Sequence, residues 1–445
     1  MRISVIILAW NGERFLEPCL AALLAQADKE AEIIVVDNGS RDNSGTLAEQ
    51  HGPRVRLIRN GYNLGFAGGN NVGLRAATGE AVVLLNQDTV VQPGWLSALA
   101  STFADSAIGI VGCKALYPDG RTLQHAGARV HPGNAYTEHI GSGEPDTGQY
   151  DRLADVDYVT GAAFAIHRRA LERLGGLDEG FYPAYYEEID YCYRARRAGF
   201  RVVYQPQAVL HHHETSSLPQ PSYVHYRAVH RNRVRFILRH WDDEGLAAFA
   251  EVEEHAIGMI LSLDDAAARA RAYWDNWLGF SSIVSQRRSD PTLGPALTEA
   301  QERRTLDALL ALRRRAQARL YDMLPSAPPP FDLPGVDGAG LAADLSHLRP
   351  LWEHVEERAF APASTMPVLG PLITRFRAFW LALVVRPYVD PILRQLLIEA
   401  AHQATVTQRL AEVLSADDAA ILETIWPTLK ALDSGLSWMR MQPDE

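Results

Sequence analysis

Through its first hundred residues the chain alternates between two hydrophobic periods, and this alternation constrains the fold more than any other feature. Runs rich in Ile, Val and Leu at 3–8, 32–37, 55–59, 81–85 and 108–111 read as buried strands. Helix-type segments lie between them at 13–25, 43–51, 69–77 and 93–103. Strands separated by helices imply βαβ units and a mostly parallel sheet, hence an α/β fold. Two of the strands end in polar groups: Ile33-Ile34-Val35-Val36 runs into Asp37, and Ala81 to Leu85 runs into Asn86-Gln87-Asp88. Open α/β sheets bind ligands beyond the carboxyl ends of their strands, so two acids are expected at one sheet edge. That arrangement suits a nucleoside diphosphate held through a metal.

At 445 residues, 47% of them apolar and 9% aromatic, the chain is long enough for two or three domains with filled cores. A net charge of -11 and a pI near 5.8 argue against non-specific binding to nucleic acid. The three cysteines, Cys19, Cys113 and Cys192, are odd in number and far apart, which fits a reducing compartment without a disulfide framework. The apolar stretch 3–10 has only Arg2 ahead of it and runs into Asn11-Gly12, so it reads as the first strand and not as a secretion signal. No run reaches the roughly 18 uninterrupted apolar residues of a membrane span.

From 114 to 155 the pattern loosens into Gly, Pro, Asp and His, expected to form irregular loops or short hairpins over the sheet. A second ordered block follows, with strands at 158–166 and 201–204 and helices at 168–174 and 187–198. Beyond Tyr223 long Ala-, Leu-, Glu- and Arg-rich segments have helical period, interrupted by the Pro-rich 325–330 and the Gly-rich 333–340. The expected organisation is an α/β domain over 1–222, a helical region over 223–324, a linker over 325–340 and a helical C-terminal region over 341–445.

Five segments carry chemistry. In Asp37-Asn38-Gly39-Ser40-Arg41-Asp42-Asn43-Ser44, Asp42 and Ser44 suit helix capping, while Asp37 at the strand end is placed to accept the ring N–H of uracil or thymine. The glycines of Asn63-Leu64-Gly65-Phe66-Ala67-Gly68-Gly69-Asn70-Asn71 let backbone approach a ligand, or let helices pack, but are not spaced as a dinucleotide fingerprint. Asp88 is the carboxylate for a hard divalent cation, with Asn86 available to a ribose hydroxyl; capping of the helix near Pro93 is the alternative. Glu187 and Glu188, adjacent acids in an aromatic setting, raise each other's proton affinity, as a general base requires. With Asp190 they would also simply favour a helix N-terminus. His211, His212 and His213 are either nitrogen ligands at a strand exit or an exposed run.

Taken together and in order, these segments, with Leu84-Leu85-Asn86-Gln87-Asp88, Thr160-Gly161-Ala162-Ala163-Phe164 and Glu187-Glu188-Ile189-Asp190, resemble the family 2 glycosyltransferases of the GT-A fold over residues 2–217. The likeness is to the bacterial rhamnosyltransferase-like branch. It implies inverting, metal-dependent transfer of a sugar from a nucleoside diphosphate to an acceptor hydroxyl. By that resemblance Asp37 binds the pyrimidine, and Asn38, Asn63, Gly65, Asn70 and Gln87 line the nucleotide-sugar site. Asp88 holds Mg2+ or Mn2+, His211 is an additional metal or diphosphate ligand, and Glu188, beside Glu187, is the base. Two departures stand out: Glu where the family has Asp at 188, and Asn at 86 in place of the first Asp of the D-x-D motif, where a ribose contact is implied. The implied donor is a UDP- or dTDP-linked hexose or deoxyhexose such as rhamnose. The implied acceptor is a glycan or lipid-linked sugar of cell-surface polysaccharide assembly, met in the cytoplasm at the inner face of the plasma membrane.

Two other classes compete with this reading. A non-catalytic module that binds sugar nucleotides or glycans would need no paired acids, and a nucleotidyltransferase would carry a Gly-rich basic loop where Ala9-Trp10-Asn11-Gly12-Glu13-Arg14 stands. Near the C-terminus, 371–386 mixes aromatic and aliphatic residues with Arg375, Arg377 and Arg386. Such a helix either lies on a membrane surface or packs against another helix or a second subunit of a homo-oligomer.

Overall fold

Strand β1 (Ile3–Ala9) is buried at six of its seven positions because it lies inside the sheet, with helices over both faces. The computed structural model describes residues 1–27, 31–214 and 222–323; the linker at 325–340 and the segment 371–386 lie outside the described residues. Helix α1 (Glu13–Leu24) leads to β2 (Glu32–Asp37), then α2 (Ser44–Gln50), β3 (Arg56–Arg59), α3 (Gly65–Ala76) and β4 (Ala81–Asn86). β2 and β4 flank β1 in parallel and β3 lies outside β2, which gives the four-strand parallel half foreseen from the alternation. Register pairs Ala9 with Asp37 and Leu8 with Asn86, so both polar strand ends emerge at the same edge.

The other half is mixed. After β5 (Thr89–Val91), α4 (Trp95–Thr102) and β6 (Ile108–Leu116), the 114–155 stretch forms four short strands: β7 (Leu123–His125), β8 (Ala128–Val130), β9 (Thr137–His139) and β10 (Ala154–Asp155). β8 and β9 make a separate antiparallel hairpin. Strand β11 (Ala163–His167) inserts antiparallel between β4 and β6, followed by α5 (Arg168–Leu174) and α6 (Glu187–Arg197). β12 (Arg201–His212) then runs parallel to β6.

β12 is far longer than the strand expected at 201–204. Pro206 falls within a register shift between Gln205 and Val209, where a missing N–H costs no ladder bond. Beyond it, β5 and β6 pair with both sides of the strand, and pairing runs as far as His212.

Alternate residues of the central strands feed two cores, as a period of two requires. Ile6, Ile34, Val82, Leu84 and Ile110 face one layer, and Val5, Ile7, Val35, Val83 and Val111 face the other, where α1 and α4 pack. Helices α7 (Tyr223–His240), α8 (Asp243–Gly258), α9 (Leu263–Ser289) and α10 (Glu299–Asp322) share the first of these cores, through residues such as Phe236, Ile257 and Phe280. Among the described residues no helix is long and apolar enough to cross a membrane.

Candidate active site

At the end of β2, Asp37 is almost enclosed: one carboxylate oxygen accepts from the Ser40 N–H at 2.9 Å, and the other lies against Gly45, where a Cβ would approach to 2.7 Å. Asn38 is fully used. Its Nδ2 donates to Asn63 Oδ1 (2.9 Å) and to the Gly65 carbonyl (3.2 Å), while its Oδ1 accepts from Asn60 Nδ2 (3.0 Å) and the Leu64 N–H (3.1 Å). Asn63 Oδ1 also accepts from the Gly65 N–H. These two asparagines therefore clamp the turn after β2 to the turn before α3. Gly65, at φ +74°, adopts the left-handed region that favours glycine. A side chain there would meet the Tyr182 ring at 2.7 Å and the Pro183 carbonyl at 2.8 Å, so the glycine lets the loop ahead of α6 dock.

Gln87 is a clamp of the same kind, accepting from the Trp10 N–H at 3.0 Å and donating to the Trp10 carbonyl at 3.1 Å. Asn86 joins β4 to the 160–163 segment through its backbone N–H, which donates to the Ala162 carbonyl at 3.0 Å. Asn70, inside α3, donates to the Phe66 carbonyl, and its Oδ1 is enclosed without a hydrogen-bond partner among the described residues.

Asp88 lies beside His212: Oδ1 and Nε2 are 3.3 Å apart, and both residues are largely buried. The other ring nitrogen of His212 is 2.7 Å from Gln124 Oε1, and Gln124 donates in turn to Glu214. Side chains alternate along a strand, so His211 projects to the opposite face, close to Gly120. The extension of β12 thus brings His212, not His211, to Asp88. His213 stacks obliquely on Phe15 at 5.4 Å. Behind His212 stand His125 and His139, rings 4.7 Å apart, and then Tyr158. Burial, and then the neighbouring imidazoles His139 and His212, hold His125 well below its ordinary pKa; its Nε2 accepts the Thr160 N–H at 3.3 Å, as a neutral ring can.

No group of three or more His, Cys, Asp or Glu side chains converges as a metal cage among the described residues. One carboxylate with an imidazole beside it does not make a structural zinc site. It does fit Mg2+ or Mn2+, which take one or two protein carboxylates and complete their shell with phosphate oxygens and water.

The acid pair sits at the first turn of α6. Ahead of it Tyr185 (φ +81°) and Tyr186 (φ +74°) are consecutive non-glycine residues in the left-handed region, each costing on the order of 1–3 kcal/mol. The surroundings hold them there. Asn232 of α7, wholly buried, donates to the carbonyls of Phe181, Ala184 (2.8 Å) and Tyr185 (3.1 Å), and the Tyr186 hydroxyl donates to the Ala135 carbonyl at 2.8 Å. Arg233, also of α7, donates to the Asn134 carbonyl at 2.7 Å and pairs with Glu253; Arg269 bonds Glu253 and the Tyr136 hydroxyl, each at 2.9 Å. The hairpin that receives Tyr186 is thereby braced by three helices.

Glu187 and Glu188 each keep one enclosed carboxylate oxygen with no hydrogen-bond partner among the described residues. Burial raises both. Glu187 is pushed well above the carboxylate range, with the Glu188 charge adding to the effect, and Glu188 is pushed up to about 7, partly offset by the N–H groups of Glu188 and Ile189. Glu187 is 3% exposed, whereas Glu188 as a residue is only half-buried, so Glu188 is the member of the pair that a substrate can approach. A carboxyl group that is approachable and ionises near neutrality has the properties of a general base.

Sequence reasoning had no signal for Asn232, Arg233 and Glu253, which lie in helices of ordinary composition far along the chain. His212 was visible only as one of three candidates in a histidine run.

The family model described as glycosyl transferase family 2 matches residues 4–175. The uncharacterized protein y4gI of Sinorhizobium fredii is 34% identical over 226 residues, and the O-antigen biosynthesis protein RfbC of Myxococcus xanthus 32% over 227. Each match takes in 48% of this chain but only 25% and 18% of the relatives, so the chain spans a quarter or less of their length. The N-acetylglucosaminyl-diphospho-decaprenol L-rhamnosyltransferase of Mycobacterium tuberculosis is 27% identical over 259 residues, 53% of this chain and 83% of the relative. Among solved structures, GalNAc-T7 with UDP, GalNAc and Mn2+ overlaps 57% of this chain and 51% of its own, at 17% identity and a TM-score of 0.46. Residues 4–175 of this chain are a glycosyl transferase family 2 domain, related in sequence to a rhamnosyltransferase and to an O-antigen biosynthesis protein.

Proposed function

We propose that the protein transfers a hexose or deoxyhexose, rhamnose included, from a UDP- or dTDP-sugar to an acceptor hydroxyl during cell-surface polysaccharide assembly. The observation that carries this reading is the buried acid pair, with Glu188 raised to about 7, in a chain whose family 2 region also ends two strands, one in Asp37 and one at Asp88. Asp37 receives the pyrimidine ring N–H. Asp88, with His212 alongside, would hold Mg2+ or Mn2+, which when bound neutralises the charge that develops on the leaving diphosphate. Glu188 removes the acceptor proton as the hydroxyl attacks the anomeric carbon; that bond forms as the bond to diphosphate breaks, and one displacement inverts the configuration. Asn38, Asn63 and Gln87 act by holding the loops that frame the nucleotide, and Gly65 by admitting the loop that carries the acids. The names of the relatives from M. tuberculosis and M. xanthus support a lipid-linked or polysaccharide acceptor.

The test is product analysis with purified protein, several sugar nucleotides and added Mg2+ or Mn2+. Release of nucleoside diphosphate that depends on Asp88 and Glu188 is expected. Pyrophosphate release would instead mean a nucleotidyltransferase, and binding without turnover of any donor would mean a binding module.

A further inference from the structure

Strand β7 carries one residue more than the stretch of β6 it pairs with. Ala115 pairs with His125 and Leu116, the next residue, with Leu123, so Gln124 stands in a bulge without a register partner of its own. On its other side Leu116 pairs with His211 of β12, which puts the bulge and His212 at neighbouring positions across the end of β6. A bulge re-aims a side chain, and bulges gather beside functional sites. Here the re-aimed group is an amide on a residue 6% exposed, with Oε1 2.7 Å from His212 Nδ1.

An amide can present either end to an imidazole, and Glu214 decides which. A carboxylate accepts and does not donate, so the Gln124 Nε2 has to face Glu214, as it does at 3.0 Å. Oε1, an acceptor only, is then left for His212, and Nδ1 is the ring nitrogen that donates. The other nitrogen, Nε2, faces Asp88 Oδ1 at 3.3 Å, longer than a usual N–H···O bond. A neutral imidazole carries one proton, and the shorter, better bond keeps it on Nδ1. Without the Gln124 acceptor, the Asp88 carboxylate would draw that proton to Nε2 and set an N–H where a cation has to approach.

We propose that Gln124 and Glu214 are positioning residues for the metal site: they fix the tautomer of His212 with its proton on Nδ1, so that Nε2 offers its lone pair beside Asp88. A ligating histidine commonly spends its other N–H in this way, and the partner orients the ring. The inference rests on the reading of Asp88 and His212 as the holders of Mg2+ or Mn2+, and both new residues act through His212.

The experiment reads the ring directly. Long-range 1H–15N spectra of the full chain, histidine-labelled, metal-free and in mildly alkaline buffer, should show the Nδ1–H tautomer for the signal that His212→Ala removes. Gln124→Met, of similar length but without the acceptor, should move the ring to the Nε2–H tautomer. It should also weaken Mn2+ binding in the presence of UDP by about 10–100-fold, followed through the EPR signal of free Mn2+. The exchange of Gln124→Glu with Glu214→Gln, which swaps donor and acceptor, should restore both readings, whereas a role in packing alone predicts no such rescue. An Nε2–H tautomer in the wild type overturns the proposal without recourse to any variant. So does a Gln124→Met protein with unchanged tautomer and affinity, or an exchange that restores neither. The other arms separate this inference from the readings beneath it. Mn2+ affinity that falls in His212→Ala but not in Gln124→Met sinks the positioning role alone. Equal affinity in His212→Ala and wild type sinks the metal role of His212 and the proposal with it, and Gln124-dependent Mn2+ binding without turnover of any donor sinks only the transferase.

Discussion

Glu187 and Glu188 open helix α6, and Asp190 follows within the same turn; burial acts on all three carboxyl groups, yet their protonation is driven in opposite directions. No cation is paired with either glutamate among the described residues, so burial raises them, and for Glu187 the neighbouring Glu188 charge adds to it. Asp190 meets Arg194 at 2.8 Å, Arg239 at 2.7 Å and His240 at 2.8 Å, and these partners hold it well below the carboxylate range in spite of its burial. Glu253, in α8, repeats the second pattern with Arg233 and Arg269 and is lowered to about 2. Burial makes an acid reactive only where the fold withholds a counter-ion. Where the fold supplies one, the same burial makes a bracket between helices.

The comparison breaks most visibly in turnover. Glu188→Gln is expected to lower the rate by a factor on the order of 10²–10⁴ while leaving the fold intact, measured as nucleoside diphosphate release in the presence of acceptor. A crippled Glu187→Gln enzyme beside an active Glu188→Gln one would transfer the role to the neighbour. Asp190→Ala is expected to do the reverse, destabilising the fold by about 3–5 kcal/mol in urea titration, because it strands two buried arginines.

Acidity sharpens the contrast. Glu188 is raised, so its ionisation costs the folded state stability progressively as pH rises from the ordinary carboxylate value of 4.5 to about 7. Glu188→Gln should therefore match the wild type in stability near pH 4 and exceed it above pH 7, by about 1–3 kcal/mol given the partial exposure of the residue. Asp190 is lowered, so its contribution is present above its ordinary value of 3.8 and is lost as the pH falls through its folded value. Turnover should rise through an apparent midpoint near 7 as the coupled pair ionises, and Glu188→Gln should abolish that rise. A flat profile from pH 6 to 8 would argue against a titrating base. The smallest effect belongs to an exposed pair: Glu49→Ala, which removes the surface contact with Arg59, should leave the melting temperature unchanged within error.

Much of the nucleotide-facing half was legible before any coordinates. The apolar runs around Ile6, Val35 and Val83 announced parallel strands, and Asp37 and Asp88 marked the edge where they end. The roles within the motifs were less legible. Asn38, Asn63 and Gln87 read as ligand contacts because polar residues in Gly-rich turns serve either purpose; each instead spends its amide on backbone or on another asparagine. The histidine that meets Asp88 hung on how far β12 extends, and its pairing with β5 and β6 is set by residues about 95 to 120 positions away.

What the sequence by itself determined was therefore local: the period of each element, the order of strands and helices, and the kind of residue standing at each strand end. Only the tertiary structure decided which acids are left without counter-ions, which imidazole faces Asp88, and how two tyrosines are kept in left-handed turns ahead of the acid pair. The reason is physical. Periodicity is written within a few neighbouring residues, whereas Arg239, Asn232 and Glu253 act on α6 and the loops around it only after chain segments about 45 to 120 residues apart have packed together.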